Sequence, residues 1–265
     1  MLTTAGIISS GKSSLTAILA EQLGTKAYFE PVTDNPVLPL FYKGNEILAK
    51  KRAAGDKEAT NPYAFLLQIY FLNRRFRTIK DAVQQDNNVV DRSIYEDELF
   101  CRLNADLGNM TQEEYGIYKN LLANMMEELP LAAHKKAPDL MVMIDVSYET
   151  MLKRVKKRGR EYEQIENDPS LVQYYKTLLK YYAEWKRDYK YSPLLVIDGD
   201  KYDFMESLDD RKTVLKMVYD QLLALNSIDM EEYQRLIKKL DTIKLTRHEG
   251  EYDVEQERKR AEEGK

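Results

Sequence analysis

A single cysteine, Cys101, stands in a chain of 265 residues, so no intrachain disulfide framework holds this protein together, and a reducing compartment suits it. No apolar run approaches the length needed to span a bilayer, and no charged stretch followed by an apolar segment opens the chain. Excess positive charge is missing as well: Lys and Arg total 40 against 44 Asp and Glu. That balance argues against nucleic acid or an anionic membrane as a main partner. A soluble, cytoplasmic protein is the expectation. There are no internal repeats, and His134 and Cys101 have no partner set around them, so both read as structural or surface residues. With 43% hydrophobic and 32% charged residues, the chain is long enough for one sizeable α/β domain with a tail.

What the chain does carry starts at Gly6. The octet Gly6-Ile7-Ile8-Ser9-Ser10-Gly11-Lys12-Ser13 fills the pattern G-x-x-x-x-G-K-[ST]. In such a loop backbone N–H groups turn inward around phosphates, the lysine reaches the β- and γ-phosphates, and the last hydroxyl ligates Mg²⁺. The segment from Ser14 to Leu23 reads as an amphipathic helix stopped by Gly24, with its N-terminal dipole aimed at the anion. Gly6, Ser9, Ser10, Gly11, Lys12, Ser13 and Ser14 are the expected phosphate-binding set. A chance Gly/Ser-rich turn is the bland alternative, but turn followed by helix is the context the motif requires. The strand expected in front, Leu2-Thr3-Thr4-Ala5, is short and polar for a buried parallel strand.

Further apolar runs read as buried strands at Ala27–Phe29, Asn88–Val90, Leu140–Ile144 and Leu194–Ile197, and each is followed by a carboxylate: Glu30, Asp91, Asp145 and Asp198. Helical patterns lie between them, so the chain alternates strand and helix, the signature of a parallel sheet covered on both faces. Ligands bind outside the carboxyl ends of such strands, where these acids stand. Helices are expected from Tyr63 to about Gln84, from the Thr111–Glu114 capping box toward Leu129 just before Pro130, from Ser147 through Val155, and from Pro169 through Trp185. The last carries Tyr174, Tyr175, Tyr181 and Tyr182, which suit amphipathic packing with wet hydroxyls better than base stacking. Two segments stand apart. Residues 43–61 are polar and lack apolar periodicity, so a loop with at most a short helix near Ile47 is expected there. Beyond Leu225, a capped helix to about Leu240 precedes a charged stretch from Thr246 onward that has the composition of a disordered tail.

Phosphoryl transfer needs held donor phosphates, a metal, a base near the acceptor hydroxyl, and cations on the transferring group. Asp91-Arg92-Ser93 follows a strand directly and puts a carboxylate and a guanidinium at the crevice rim, although a helix-capping Asp91 paired with Arg92 would look the same. Glu30 ends the second strand, where it could take a proton from a substrate hydroxyl or simply terminate the strand at the surface. The run Lys153-Arg154-Val155-Lys156-Lys157-Arg158-Gly159-Arg160 is a solvated face or a mobile lid that closes cations over phosphate.

Taken in order, these pieces resemble the deoxynucleoside kinase family, and within it the bacterial deoxyadenosine/deoxyguanosine kinase branch. The resemblance covers nearly all of residues 1–225. It rests on the phosphate loop, Glu30-Pro-Val, the stretch from Asp34 to Tyr42, the stretch from Tyr63 to Phe76, Asp91-Arg-Ser-Ile-Tyr-Glu-Asp97, the stretch from Arg154 to Glu163, and Ile197-Asp-Gly-Asp200. It implies a P-loop kinase fold, a five-stranded parallel sheet with helices on both faces, and ATP-dependent phosphorylation of a purine deoxynucleoside 5′-hydroxyl in nucleotide salvage. By the same resemblance Glu30 is the base, Arg92 steadies it and the transferred phosphate, and Lys12 completes the catalytic set. Asp91 with Ser13 arranges Mg²⁺, Tyr42 and Glu163 hold the 3′-hydroxyl, and Gln68, Arg75 and Asp97 hydrogen-bond the base. Arg154, Arg158 and Arg160 match lid cations, and Asp198 and Asp200 join the ATP side. ATP and a deoxynucleoside are the implied partners, with a homodimer or a heterodimer with a related subunit formed through two long helices.

The chain departs from the family pattern in carrying Ser9 where glycine is usual, in inserting residues 43–61, and in continuing beyond Leu225. Three rival readings fall on single residues. A motor-type ATPase using Leu140–Asp145 needs a second acid after Asp145, where Val146 stands; a thymidylate-type kinase carries an aromatic where Ser93 stands; and a non-catalytic regulatory partner would lack Glu30 or Asp91, which are present. Arg75 only donates, ionised Asp97 only accepts, and Gln68 does both, so thymidine is expected to react barely; it is the family resemblance, not the pairing, that implies purine deoxynucleosides first and deoxycytidine weakly.

Overall fold

The computed structural model describes residues 1–29, 35–84, 87–132 and 137–245. Glu30, Asp34, His134 and the stretch from residue 246 onward lie outside the described residues, and so do the expectations placed on them. Chain order is β1 (Leu2–Gly6), α1 (Lys12–Leu23), β2 (Lys26–Tyr28), α2 (Leu38–Ala53), α3 (Ala64–Ala82), β3 (Asn88–Asp91), α4 (Ile94–Asp106), α5 (Gln112–Ala132), β4 (Leu140–Asp145), α6 (Tyr148–Arg158), a 3-10 turn (Glu161–Glu163), α7 (Ser170–Asp188), β5 (Leu194–Asp198), α8 (Leu208–Ala224) and α9 (Met230–Lys239). The sheet is five-stranded and parallel throughout, in the order β2-β3-β1-β4-β5. Each expected strand is present, extended by a residue or shifted by one. Among the described residues no helix is long and apolar enough to cross a membrane.

β1 occupies the centre, with Thr4 in register with both Asp91 and Val142. Its polar character is compatible with that place because the buried Thr4 hydroxyl pairs with the Thr16 hydroxyl of α1 at 2.7 Å, and Thr16 also bonds the Lys12 carbonyl at 3.0 Å. From β1 the chain runs to β2 at one edge, steps back to β3 beside β1, and then crosses to β4 on the other side. The crevice where this order reverses lies at the carboxyl end of β1, where the phosphate loop begins.

Of residues 43–61, the first eleven are helix and only 54–61 are turn and coil. α2 takes up Leu38–Ala53, starts with Pro39 in its first turn, and ends in Lys50, Lys51 and Arg52, which suit the negative end of the helix dipole. Apolar periodicity could not signal it, because its buried contacts are only Gly44 and Leu48. Gly44 makes room for Asn61, whose amide donates to the Phe41 carbonyl (2.8 Å) and Asn45 (2.7 Å) while its oxygen accepts the Tyr63 N–H (2.9 Å). α5 also runs past Pro130 to Ala132, where the sequence suggested a stop.

The segment after Leu225 is part of the fold as far as Leu245. α9 is capped by the Asp229 carboxylate, which accepts from the Glu232 N–H at 2.8 Å, and it buries Leu236 completely. Lys239 donates to the Gln22 carbonyl at the end of α1 (2.8 Å), and the buried Arg211 of α8 donates to the carbonyls of Phe204 (2.8 Å) and Lys244 (3.0 Å). Tyr175, Tyr181 and Tyr182 of α7 pack into the core as expected, but their hydroxyls are bonded inside the protein rather than to water: to the Glu163 carbonyl, Asp106 and Glu96.

Candidate active site

The phosphate loop joins β1 to α1. Gly6 has φ 144°, and a Cβ there would lie 2.7 Å from the Ile144 carbonyl, so no side chain fits beside β4. Ser9 sits at φ 59°, a left-handed conformation that glycine would take without strain. The loop is braced from behind by Arg154 of α6, which donates to the Ser10 carbonyl at 2.6 Å and to the Gly199 carbonyl at 2.8 Å. Burial lowers the pKa of this guanidinium, with Asp203 and Asp200 working against the shift. Arg154 was expected as a lid cation; its donors hold backbone instead.

Ser13 and Asp91 meet directly, the hydroxyl donating to Asp91 Oδ2 at 2.5 Å. The other carboxylate oxygen, Oδ1, is buried without a partner among the described residues. A hydroxyl and a half-satisfied carboxylate beside a phosphate loop are the hard oxygen donors Mg²⁺ prefers. The residues present therefore fit the metal, even though no cluster of three or more His, Cys, Asp or Glu occurs among the described residues.

Arg92 comes next, in the left-handed region at φ 68°, and its N–H bonds the Thr4 carbonyl at 3.0 Å. Its guanidinium lies over the Phe100 ring at 4.7 Å and donates to Glu96 (3.3 Å) and Tyr182 (2.6 Å). On the neighbouring helices Gln68, Arg75 and Asp97 are all buried. Arg75 donates to Asp97 at 3.3 Å and to the Asp91 and Arg92 carbonyls at 2.7 and 3.3 Å, so the expected base contacts are anchored on the Asp91-Arg92 turn.

A family model for deoxynucleoside kinases matches residues 2–224. The chain belongs to the deoxynucleoside kinase family. It is 54% identical to a deoxyguanosine kinase of Lactobacillus acidophilus over 231 residues, spanning 87% of this chain and 94% of that protein. It is 48% identical to a deoxyadenosine kinase of the same organism, spanning 86% of this chain and 99% of that protein. Among solved structures, a deoxyadenosine kinase from M. mycoides with bound dATP superposes with a TM-score of 0.62 at 28% identity, covering 83% of this chain and 98% of that one. The P-loop kinase fold expected from the sequence is thus the fold observed.

In this deoxynucleoside kinase the expected sugar and lid residues converge. Tyr42 stacks near Tyr162, with ring centroids 4.6 Å apart, and burial together with the Glu163 carboxylate pushes its hydroxyl well above the ordinary tyrosine pKa. Glu163 is bonded by Arg158 Nε at 3.1 Å and lies 3.5 Å from Arg160 Nη1. Arg158 and Arg160, expected on the lid, therefore face Glu163, expected on the sugar side, rather than standing apart from it. Asp198 turns onto its own loop, accepting the N–H groups of Asp200 and Lys201 at 3.0 Å, whereas Asp200 reaches across to the start of α6 and accepts from the Ser147 N–H at 3.0 Å. Burial opposes ionisation of Asp200, but hydrogen bonds from Thr150 and Ser147 and the Arg154 charge hold it below the usual carboxylate range. Sequence inspection missed Glu96 and Tyr182 as neighbours of Arg92. Only the Ser93-x-x-Glu96 capping pattern hinted at the first.

Proposed function

We propose that this kinase transfers the γ-phosphoryl group of ATP to the 5′-hydroxyl of purine deoxynucleosides, deoxyguanosine and deoxyadenosine, in deoxynucleotide salvage. The observation that carries this reading is the buried Arg75–Asp97 pair, bonded to the backbone of the Asp91-Arg92 turn. It supports the reading because a donor and an acceptor suited to a base edge stand beside the turn whose Asp91 bonds Ser13 of the phosphate loop. The names of the relatives at 54% and 48% identity support the purine choice.

In this reading Lys12 and the backbone of residues 6–14 hold the triphosphate, and Ser13 with Asp91 would hold Mg²⁺, which neutralises charge on the β- and γ-phosphate oxygens. Glu30 takes the proton from the 5′-hydroxyl, and Arg92 steadies the phosphoryl group in transit. Tyr42 and Glu163 receive the 3′-hydroxyl, with Arg158 and Arg160 closing the site from the lid side. Asp97 accepts from an exocyclic amine and Arg75 donates to O6 or N7 of guanine. A thymine O4 would face a carboxylate, and a buried unpaired acceptor is rejected strongly. The protein acts in the cytoplasm as a dimer, with itself or a related subunit. Exposed Leu66 on α3 and Ile117 on α5 suit a face between copies.

A steady-state panel of the four deoxynucleosides with ATP and Mg²⁺ tests the reading. Deoxyguanosine and deoxyadenosine should have the highest kcat/KM, deoxycytidine a low value and thymidine a barely detectable one. Asp97→Ala should lower purine turnover and erode discrimination against thymidine. Thymidine as the best wild-type substrate overturns the assignment of Arg75 and Asp97.

A further inference from the structure

Glu96 lies outside the phosphate, metal, sugar and base sets, yet it is 0% exposed and stands where three elements meet. Its Oε1 accepts from the Gly6 N–H at 3.1 Å, from Arg92 Nη1 at 3.3 Å and from the Tyr182 hydroxyl at 2.9 Å. Its Oε2 accepts from the Ser93 N–H at 3.0 Å. Arg92 Nη1 also donates to the Tyr182 oxygen at 2.6 Å, so the three side chains form a closed ring of hydrogen bonds. Every group facing Glu96 in these contacts is a donor, which suits an acceptor-only carboxylate and cannot be matched by an amide. Helix capping accounts for the Oε2 contact alone, and a surface glutamate performs it equally well. The convergence on Oε1 calls for another explanation.

Building on the kinase reading above, we infer that Glu96 is a positioning residue for phosphoryl transfer: anchored on the Gly6 and Ser93 backbone, its carboxylate aims the Arg92 guanidinium, and Tyr182 locks that aim from α7. The Phe100 ring, with the guanidinium 4.7 Å from its centre, restrains the group on one face but does not fix its direction in the plane; hydrogen bonds do. Because Glu96 is held by the first glycine of the phosphate loop, the guanidinium is referenced to the loop that grips the donor. Without the carboxylate Arg92 keeps its charge and loses its register. A shift of about 1 Å in such a group is enough for a loss of roughly 10²-fold in turnover.

The test is to measure kcat and KM for ATP and deoxyguanosine in Glu96→Gln and Tyr182→Phe, each alone and combined with Arg92→Ala, with circular dichroism and thermal melts on every variant. Glu96→Gln should lower kcat by about 10- to 10²-fold while both KM values move less than about threefold. Tyr182→Phe, which removes one hydrogen-bonding hydroxyl, should lower kcat by roughly three- to tenfold. In the Arg92→Ala background neither change should lower kcat further by more than about twofold, because the residue being aimed is gone. A folded Glu96→Gln enzyme with wild-type kcat, or an effect of undiminished size without Arg92, overturns the inference. If Glu96→Gln fails to fold, Tyr182→Phe decides by the same criteria. Wild-type protein inactive with all four deoxynucleosides would sink the functional reading and this inference together; active wild type with unchanged variants sinks the inference alone.

Discussion

Replacing Leu236 by alanine tests whether the segment beyond the family domain is structural. The family match ends at residue 224, yet Leu236 in α9 is 0% exposed. The substitution removes roughly three buried methylene equivalents, a transfer loss near 2.4 kcal/mol at about 0.8 kcal/mol each. Incomplete collapse of the space left behind adds a cavity contribution and places the total at about 3 kcal/mol, inside the ~2–5 kcal/mol range for buried leucines. For a protein of this size that corresponds to a Tm lower by roughly 6–12 °C. Scanning calorimetry reads this directly. A second effect should accompany it. Arg211 links the Lys244 carbonyl behind α9 to the Phe204 carbonyl, and the Phe204 ring lies 3.1 Å from where a Cβ would stand on Gly11 of the phosphate loop. Loosening α9 should therefore raise KM for ATP more than KM for the deoxynucleoside. A Tm within about 2 °C of wild type would refute the reasoning, because a docked leucine cannot be truncated at so small a cost.

Gly44→Ala should destabilise by about 1–3 kcal/mol, since the added methyl would start 2.0 Å from Asn61 Oδ1; an unchanged urea midpoint would restore the loop reading of residues 43–61. Ser9→Gly relieves a left-handed serine at φ 59°, worth about 1–2 kcal/mol, against roughly 0.5–1 kcal/mol of added chain entropy in the unfolded state. Its Tm should hold or rise slightly, and a fall of more than about 3 °C would contradict the strain. Asp91→Asn keeps the shape but removes the negative charge and one of the two oxygens beside Ser13, so the Mg²⁺ concentration for half-maximal rate should climb about tenfold or more; an unaltered Mg²⁺ titration would remove Asp91 from the metal. Glu30→Gln should lower kcat by roughly 10²–10⁴-fold with much smaller change in deoxynucleoside binding; equal losses in both would make Glu30 a positioning group instead of a base.

The linear sequence was sufficient for whatever is encoded by short-range pattern. The phosphate loop needs its glycines and lysine at fixed spacing, and a parallel sheet needs apolar runs separated by helices, so the strands and the αL stop at Gly24 were legible residue by residue. Ser13 and Asp91 were joined by the family resemblance and not by any local pattern: they are 78 positions apart, and the parallel pairing of β1 with β3 brings them within 2.5 Å. α2 escaped in part because its burial is narrow: it rests on Gly44 and Leu48, too few apolar positions to reveal a docked face by period. α9 was legible as a capped helix, with Tyr233, Leu236, Ile237 and Leu240 at helical spacing, but which elements that face meets was not. The Glu96 network is the clearest case of what only tertiary structure decides. A glutamate in a capping pattern is ordinary in sequence, and nothing local shows that Gly6 and Tyr182, 90 and 86 positions away, will both donate to the same oxygen. Hydrogen-bond donors from distant elements leave no periodic trace in the chain, so the fold alone turns that residue into the meeting point of loop, turn and helix.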